Sequence, residues 1–151
     1  MALSKKKNNE SKNMHFSRED QKKILSSSSP FIVKEAYSSI RTNLLFSQKG
    51  DECPVFIVTS PTANNGKSIN SVNMAVSFAQ MGKKTLLIDA DMRNPTVHRL
   101  FSIPVKNGLS EILAGLTDSI TVSKTDIENL SVLTAGKIPP NPSELLSSER
   151  T

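Results

Sequence analysis

The residues of this sequence whose types and spacing could do chemistry together are Gly66-Lys67-Ser68 and the paired carboxylates Asp89 and Asp91. A lysine is a flexible point charge suited to the β- and γ-phosphates of a nucleotide. A glycine before it lets the backbone approach closely and take unusual dihedrals. A serine after it offers a hydroxyl to Mg²⁺ at the first turn of a helix. Two carboxylates at a strand end can hold that metal directly or through water, and one could take a proton from an attacking hydroxyl. The chemistry in view is nucleoside triphosphate binding and phosphoryl transfer.

Such groups need elements to position them. Val55-Phe-Ile-Val58 is short, apolar and β-branched, so it reads as a buried strand feeding the polar run Thr59–Ser68. Apolar residues at 69, 72, 75, 76 and 79 give a helix from Ser68 to about Met81 with one buried stripe. Gly82-Lys83-Lys84 breaks it, Thr85–Ile88 reads as a second buried strand, and Asp89-Ala-Asp-Met-Arg93 follows. In a parallel sheet the two strand ends lie side by side, at the usual ligand crevice of an open α/β fold. Backbone N–H groups and the positive end of the helix then meet at the loop.

The rest of the chain fits that frame. Positions 33, 36, 37, 40 and 44 recur at helical spacing, predicting an amphipathic helix over Val33–Gln48. Short helices are expected at Thr96–Phe101 and Leu109–Ala114, a third strand at Leu130–Leu133, and a last helix from Ser143 to Ser148 after the break at Ile138–Pro142. Strands alternating with helices imply an α/β, P-loop NTPase-like fold, a mostly parallel sheet flanked by helices.

With 151 residues, 36% apolar and 22% charged, the composition is that of one globular domain. No run of about 18 apolar residues is present, no apolar stretch follows the basic N-terminus, and Ala2 stands where a myristoyl acceptor needs glycine. A lone Cys53 excludes internal disulfides and cysteine-based zinc sites. A cytoplasmic protein is expected. Of the net charge of +5, +4 lies in residues 1–30, which read as a basic, disordered tail before a domain spanning 31–151. Without aromatic residues interleaved for stacking, that tail reads as a solvated leader and no nucleic acid is expected.

Read as they stand, Thr59-Ser-Pro through Gly-Lys-Ser68 and Leu86-Leu-Ile-Asp-Ala-Asp-Met-Arg-Asn-Pro95 resemble the Walker A and Walker A′ motifs of bacterial tyrosine kinases. Glu35–Leu44, Gly108–Leu113 and Val132–Leu146 are similar to further segments of that family, so the resemblance covers roughly 31–148. It implies an enzyme using ATP and Mg²⁺ to phosphorylate tyrosines on itself and on other proteins. It also implies a role in capsule or exopolysaccharide production, and a transmembrane modulator that activates the kinase and brings it to the inner membrane face. Carried over, Lys67 holds the β/γ-phosphates and Ser68 the metal, Asp89 is the candidate base, and Asp91 supports Mg²⁺. Thr62, Ala63, Asn64, Asn65, Gly66, Lys67, Ser68 and Ile69 line the ATP site, and Arg93 matches the second motif.

The departures are as informative as the matches. Pro61 replaces the first glycine of the general phosphate-loop pattern, and Asn64 stands where the family has glycine. Asparagine is the non-glycine residue most tolerant of left-handed dihedrals, so the turn is expected to survive. The family's self-assembly pattern Glu-x-x-Arg-x-x-Arg is here Glu35-x-x-Ser38-x-x-Arg41, which puts homo-oligomer formation in question. The family pattern continues beyond Thr151 with a Walker B strand, further strands and a tyrosine-rich tail, so the resemblance implies a partial kinase, expected to be incomplete on the C-terminal side and poor in phosphoryl transfer. Two other classes share its features. A MinD/ParA-like ATPase switch would place a second lysine where Thr62 stands, and a non-catalytic fragment would dock on the membrane modulator or on full-length kinase through the Val33–Gln48 helix.

Overall fold

The element that carries the phosphate-loop sequence folds as its periodicity requires. In the computed structural model, which describes residues 19–48, 53–62 and 64–147, a helix spans Lys67–Gln80. Val72, Ala75, Val76 and Ala79 on it are buried, and Ile69 packs beside them. This is α2; α1 is the preceding helix, Phe31–Ser47. Three strands follow in chain order: β1 at Thr85–Ile88, β2 at Ser123–Lys124 and β3 at Leu130–Leu133. Short helices α3 (Val97–Leu100), α4 (Leu109–Leu113) and α5 (Pro142–Leu146) lie between and after them.

The sheet has the order β1-β3-β2. β1 runs parallel to β3 with Thr85 opposite Leu130 and Ile88 opposite Leu133, and the two-residue β2 is antiparallel to β3. The sheet is therefore mixed, parallel over the four residue pairs of β1 and β3 and antiparallel over the two of β2. Leu130 and Val132 of β3 join Val72, Val76, Ala79, Val97, Leu100 and Ile103 in the main core, between the sheet and α2. A smaller cluster of Met92, Leu113 and Ala135 lies under Leu109 and Leu145.

Two expectations need correction. Val55–Val58 forms no strand among the described residues: Val55 is 80% and Ile57 88% exposed. Among the described strands β1 lies at an edge, paired with β3, and none of them pairs with this segment. The segment is instead held against α2 by Phe56, whose ring stacks on Phe78 at 5.6 Å. β1 is also covered on one face only. Leu87 meets the core, while Leu86 and Ile88 are each about half exposed.

Helix α1 is also barer than its stripe suggests. None of its residues is fully buried, and Val33 and Ile40 of the expected apolar face stay exposed. Polar contacts dock it to α2, chief among them Arg41, whose Nη1 donates to the Ser77 carbonyl at 2.8 Å and to the Ser77 hydroxyl at 3.0 Å. Residues before α1 contribute to the fold as well. Leu25, which the sequence assigns to the tail, is 4% exposed and sits in the main core. Residues 1–18, where disorder is expected, lie outside the described residues.

One buried charge organises the C-terminal half. Glu111 of α4 is 7% exposed. Its Oε2 accepts the Gly108 N–H and the Ser110 hydroxyl, each at 3.0 Å, and its Oε1 accepts the Lys137 N–H at 3.2 Å. Burial pushes this carboxyl up, but the N–H donors of Gly108 and Lys137 and the Ser110 hydroxyl outweigh it and hold it below the ordinary glutamate range. A depressed carboxyl stabilises the fold above its unfolded pKa, and that contribution is lost as pH falls through the folded value. Glu111→Gln sets an amide NH₂ against N–H donors and is expected to destabilise by about 1–3 kcal/mol at neutral pH. The deficit should shrink as pH falls through the lowered value of the folded carboxyl, below which the parent side chain is itself protonated. Urea unfolding of both chains across that range checks it; a deficit that stays constant with pH would contradict the assignment.

Candidate functional site

The polar loop enters α2 through two left-handed residues. Asn64 has φ 61° and Gly66 φ 74°, so asparagine supplies the conformation expected of it in the place of the family glycine. Within the loop, the Asn65 amide donates to the Thr62 hydroxyl at 2.6 Å and the Ser60 hydroxyl to the Thr62 carbonyl at 2.8 Å. Ala63 lies outside the described residues. Lys67 and Ser68 open the 14-residue helix, at its positive end.

The acidic turn after β1 meets this helix end directly. Lys67 Nζ lies 2.6 Å from Asp91 Oδ2, with side chains 31% and 26% exposed. The other Asp91 oxygen accepts the Asn94 N–H at 3.0 Å. Burial raises the Asp91 carboxyl, yet the Lys67 ammonium and the Asn94 and Arg93 N–H groups bring it below the usual range.

Asp89 is placed differently from its neighbour. It is 5% exposed, and its oxygens accept three backbone N–H groups: Oδ1 from Asp91, Oδ2 from Thr96 and Val97. It thereby folds the turn back and caps α3. Burial pushes its carboxyl up despite those three bonds, with the charge of Asp91 adding to the shift. A raised carboxyl suits a proton acceptor, but in this arrangement it faces the chain's own amides, and acting on a substrate hydroxyl would require the turn to open. Arg93 reaches from the same turn to α5, where its Nη2 donates to the Ser143 hydroxyl at 3.1 Å.

The structure thus brings Lys67, Asp89 and Asp91 to one end of β1 and α2, with Ser68 beside them. No group of three or more His, Cys, Asp or Glu side chains among the described residues forms a cage for a metal ion. A hydroxyl and one or two carboxylates are the hard oxygen donors that Mg²⁺ takes when phosphate oxygens and water complete its shell, so the donor set fits nucleotide-borne Mg²⁺. Two positions escaped the sequence reading. Ser143 carries no signal that ties it to Arg93. Glu111 stands three residues after Gly108, the spacing of a helix capping box, which could have found it.

The chain can now be set beside known proteins. No protein-family model matches it. It is 41% identical over 131 residues to the tyrosine-protein kinase YwqD of Bacillus subtilis, covering 85% of this chain and 55% of that protein. It is 44% identical over 119 residues to the tyrosine-protein kinase CpsD of Streptococcus pneumoniae, covering 78% of this chain and 52% of the relative. The proteins it resembles over most of its own length are bacterial tyrosine kinases. Among solved structures, the kinase domain of Escherichia coli ETK superposes with a TM-score of 0.72 at 37% identity, over 78% of this chain and 46% of that one. The chimerical protein CapA2B2 gives 0.72 at 42% identity, over 82% and 54%. The fold is therefore the P-loop NTPase-like fold of bacterial tyrosine kinase domains, and the chain spans about half the length of the curated relatives it matches. None of the described helices is long and apolar enough to cross a membrane.

Proposed function

We propose that this chain binds MgATP at the loop around Gly66–Ser68 and contributes the phosphate-binding half of a protein-tyrosine kinase. The observation that carries the reading is the 2.6 Å contact between Lys67 and Asp91, which joins the loop to the acidic turn. Lys67 and Asp91 neutralise one another in the absence of nucleotide. Parting them frees an ammonium for phosphate oxygens and a carboxylate for a cation. Lys67 would then hold the β- and γ-phosphates, while Ser68 and Asp91 would hold Mg²⁺, with Thr62 to Ile69 lining the nucleotide. Bound there, Mg²⁺ supplies charge neutralisation at the transferring phosphoryl group. Asp89 fixes the turn, and serves as base for a tyrosine hydroxyl only once that turn opens.

The partners proposed with this reading are protein tyrosines as substrates and a transmembrane modulator of the polysaccharide co-polymerase type, placing the chain on the cytoplasmic side of the membrane in capsule or exopolysaccharide synthesis. A homo-oligomer belongs to the same reading, with Ser38 at the altered assembly position. Phosphoryl transfer by these residues alone is expected to be weak. Titration calorimetry with ATP, with and without Mg²⁺, tests the binding: one site whose affinity rises with Mg²⁺ is expected. No uptake, or uptake indifferent to the metal, would overturn the proposal. Thr62, where a MinD/ParA-like switch needs lysine, favours the kinase over that ATPase class.

A further inference from the structure

We infer that Tyr37, the single tyrosine of the sequence, is a positioning residue for the phosphate loop and acts through Asn70. Its hydroxyl donates to Asn70 Oδ1 at 2.7 Å. The amide nitrogen of Asn70 in turn donates to the Gly66 carbonyl at 3.0 Å. That carbonyl also accepts the Asn70 backbone N–H at 2.9 Å, so both donors of one residue converge on it. Gly66 is the left-handed residue at which the loop becomes helix, and the Asn70 carboxamide lies where a Cβ on it would be 3.3 Å away. The orientation of its peptide group sets the direction of the Lys67 N–H and of the Lys67 side chain beyond it.

The direction of the relay is determined by its far end. Asn73 is 4% exposed; its Oδ1 accepts the Leu25 N–H at 2.8 Å, and its amide nitrogen donates to the Lys23 carbonyl at 3.0 Å. Locked by those two backbone groups, the same nitrogen also donates to the Tyr37 oxygen at 3.3 Å. Tyr37 therefore receives from Asn73 and must give its proton to Asn70. Asn70 then has only its NH₂ to offer Gly66, since the flipped amide would set oxygen against carbonyl oxygen. A chain of single donors and acceptors runs from the segment before α1, through α1, to the loop. It orders the Gly66 peptide before any ligand arrives, which lowers the ordering cost of binding.

The phosphate-binding part of this inference rests on the function proposed above; the ordering of Gly66 does not. Tyr37→Phe keeps the ring and removes only the hydroxyl. With the net worth of one such hydrogen bond, the residue-70 amide is expected to exchange its hydrogen about 5-fold faster in Tyr37→Phe. The amide of Val132, in the middle of the sheet, should keep its rate. Asn70→Ala should match Tyr37→Phe, and the double variant should add nothing further, because both remove the same relay. Unchanged exchange at residue 70, an equal rise at Val132, or effects that multiply in the double variant would each overturn the relay. MgATP affinity should fall by the same factor of about 5. If exchange changes as expected but the parent chain takes up no MgATP, the relay stands and the nucleotide reading fails.

Discussion

The Lys67→Met chain is expected to fold as the parent does and to lose roughly 2–4 kcal/mol of MgATP binding, about 30- to 1,000-fold in affinity. The two halves of that expectation have different physical origins. Lys67 pairs with Asp91, and both side chains keep about a quarter to a third of their surface in water. Exposed pairs of this kind contribute about 0–1 kcal/mol, because solvent screens them and two side chains must be held still. Asp91 keeps its Asn94 N–H bond and some hydration when the ammonium is gone. Against bound phosphate the same ammonium faces several negative oxygens, at the positive end of a helix. Thermal melting and calorimetry on one preparation separate the two. Binding retained within about 3-fold in Lys67→Met would remove Lys67 from the phosphate site.

What could be read from the sequence is what local pattern determines. Helix α2 and strands β1 and β3 lie where apolar periodicity places them, and the left-handed Asn64 follows from its own side chain and position. The misses are non-local. Val55–Val58 has the composition of a buried strand, but a strand exists only with a partner to receive its hydrogen bonds, and none of the described strands pairs with it. The two-residue β2, Ser123-Lys124, has neither length nor apolar alternation to announce it. Leu25 looks like part of a basic tail until the side-chain Oδ1 of Asn73, 48 residues on, accepts its N–H. At the site, spacing predicted that Lys67, Asp89 and Asp91 meet at one strand end. It could not show that Asp89 spends its oxygens on its own turn while Asp91 faces the lysine, since that division depends on where Thr96 and Val97 fold back.

Gly136→Ala is expected to destabilise the chain by roughly 3–5 kcal/mol, combining left-handed strain with overpacking. Gly136 has φ 82°, and a Cβ there would collide with Glu111 Oε2 and lie 2.5 Å from the Ser110 hydroxyl oxygen. Those atoms cannot simply swing aside, because Glu111 is held by the Gly108 and Lys137 N–H groups, and the single Ser110 hydroxyl proton lies between Glu111 Oε2 and the nearer Lys137 carbonyl at 2.7 Å. Gly82→Ala is the control: its φ is 81°, but nothing lies within 4 Å of the added carbon. That variant should lose only the dihedral cost, about 1–2 kcal/mol. The difference between the two in urea unfolding measures the collision, and equal losses would mean that Glu111 yields without resistance. The effect should also reach the acidic turn. The loop that Glu111 clasps runs on into α5, whose Ser143 hydroxyl accepts from Arg93, two residues beyond Asp91. A chain loosened at Gly136 should therefore weaken its hold on MgATP while Lys67, Ser68 and Asp91 are all unchanged in sequence.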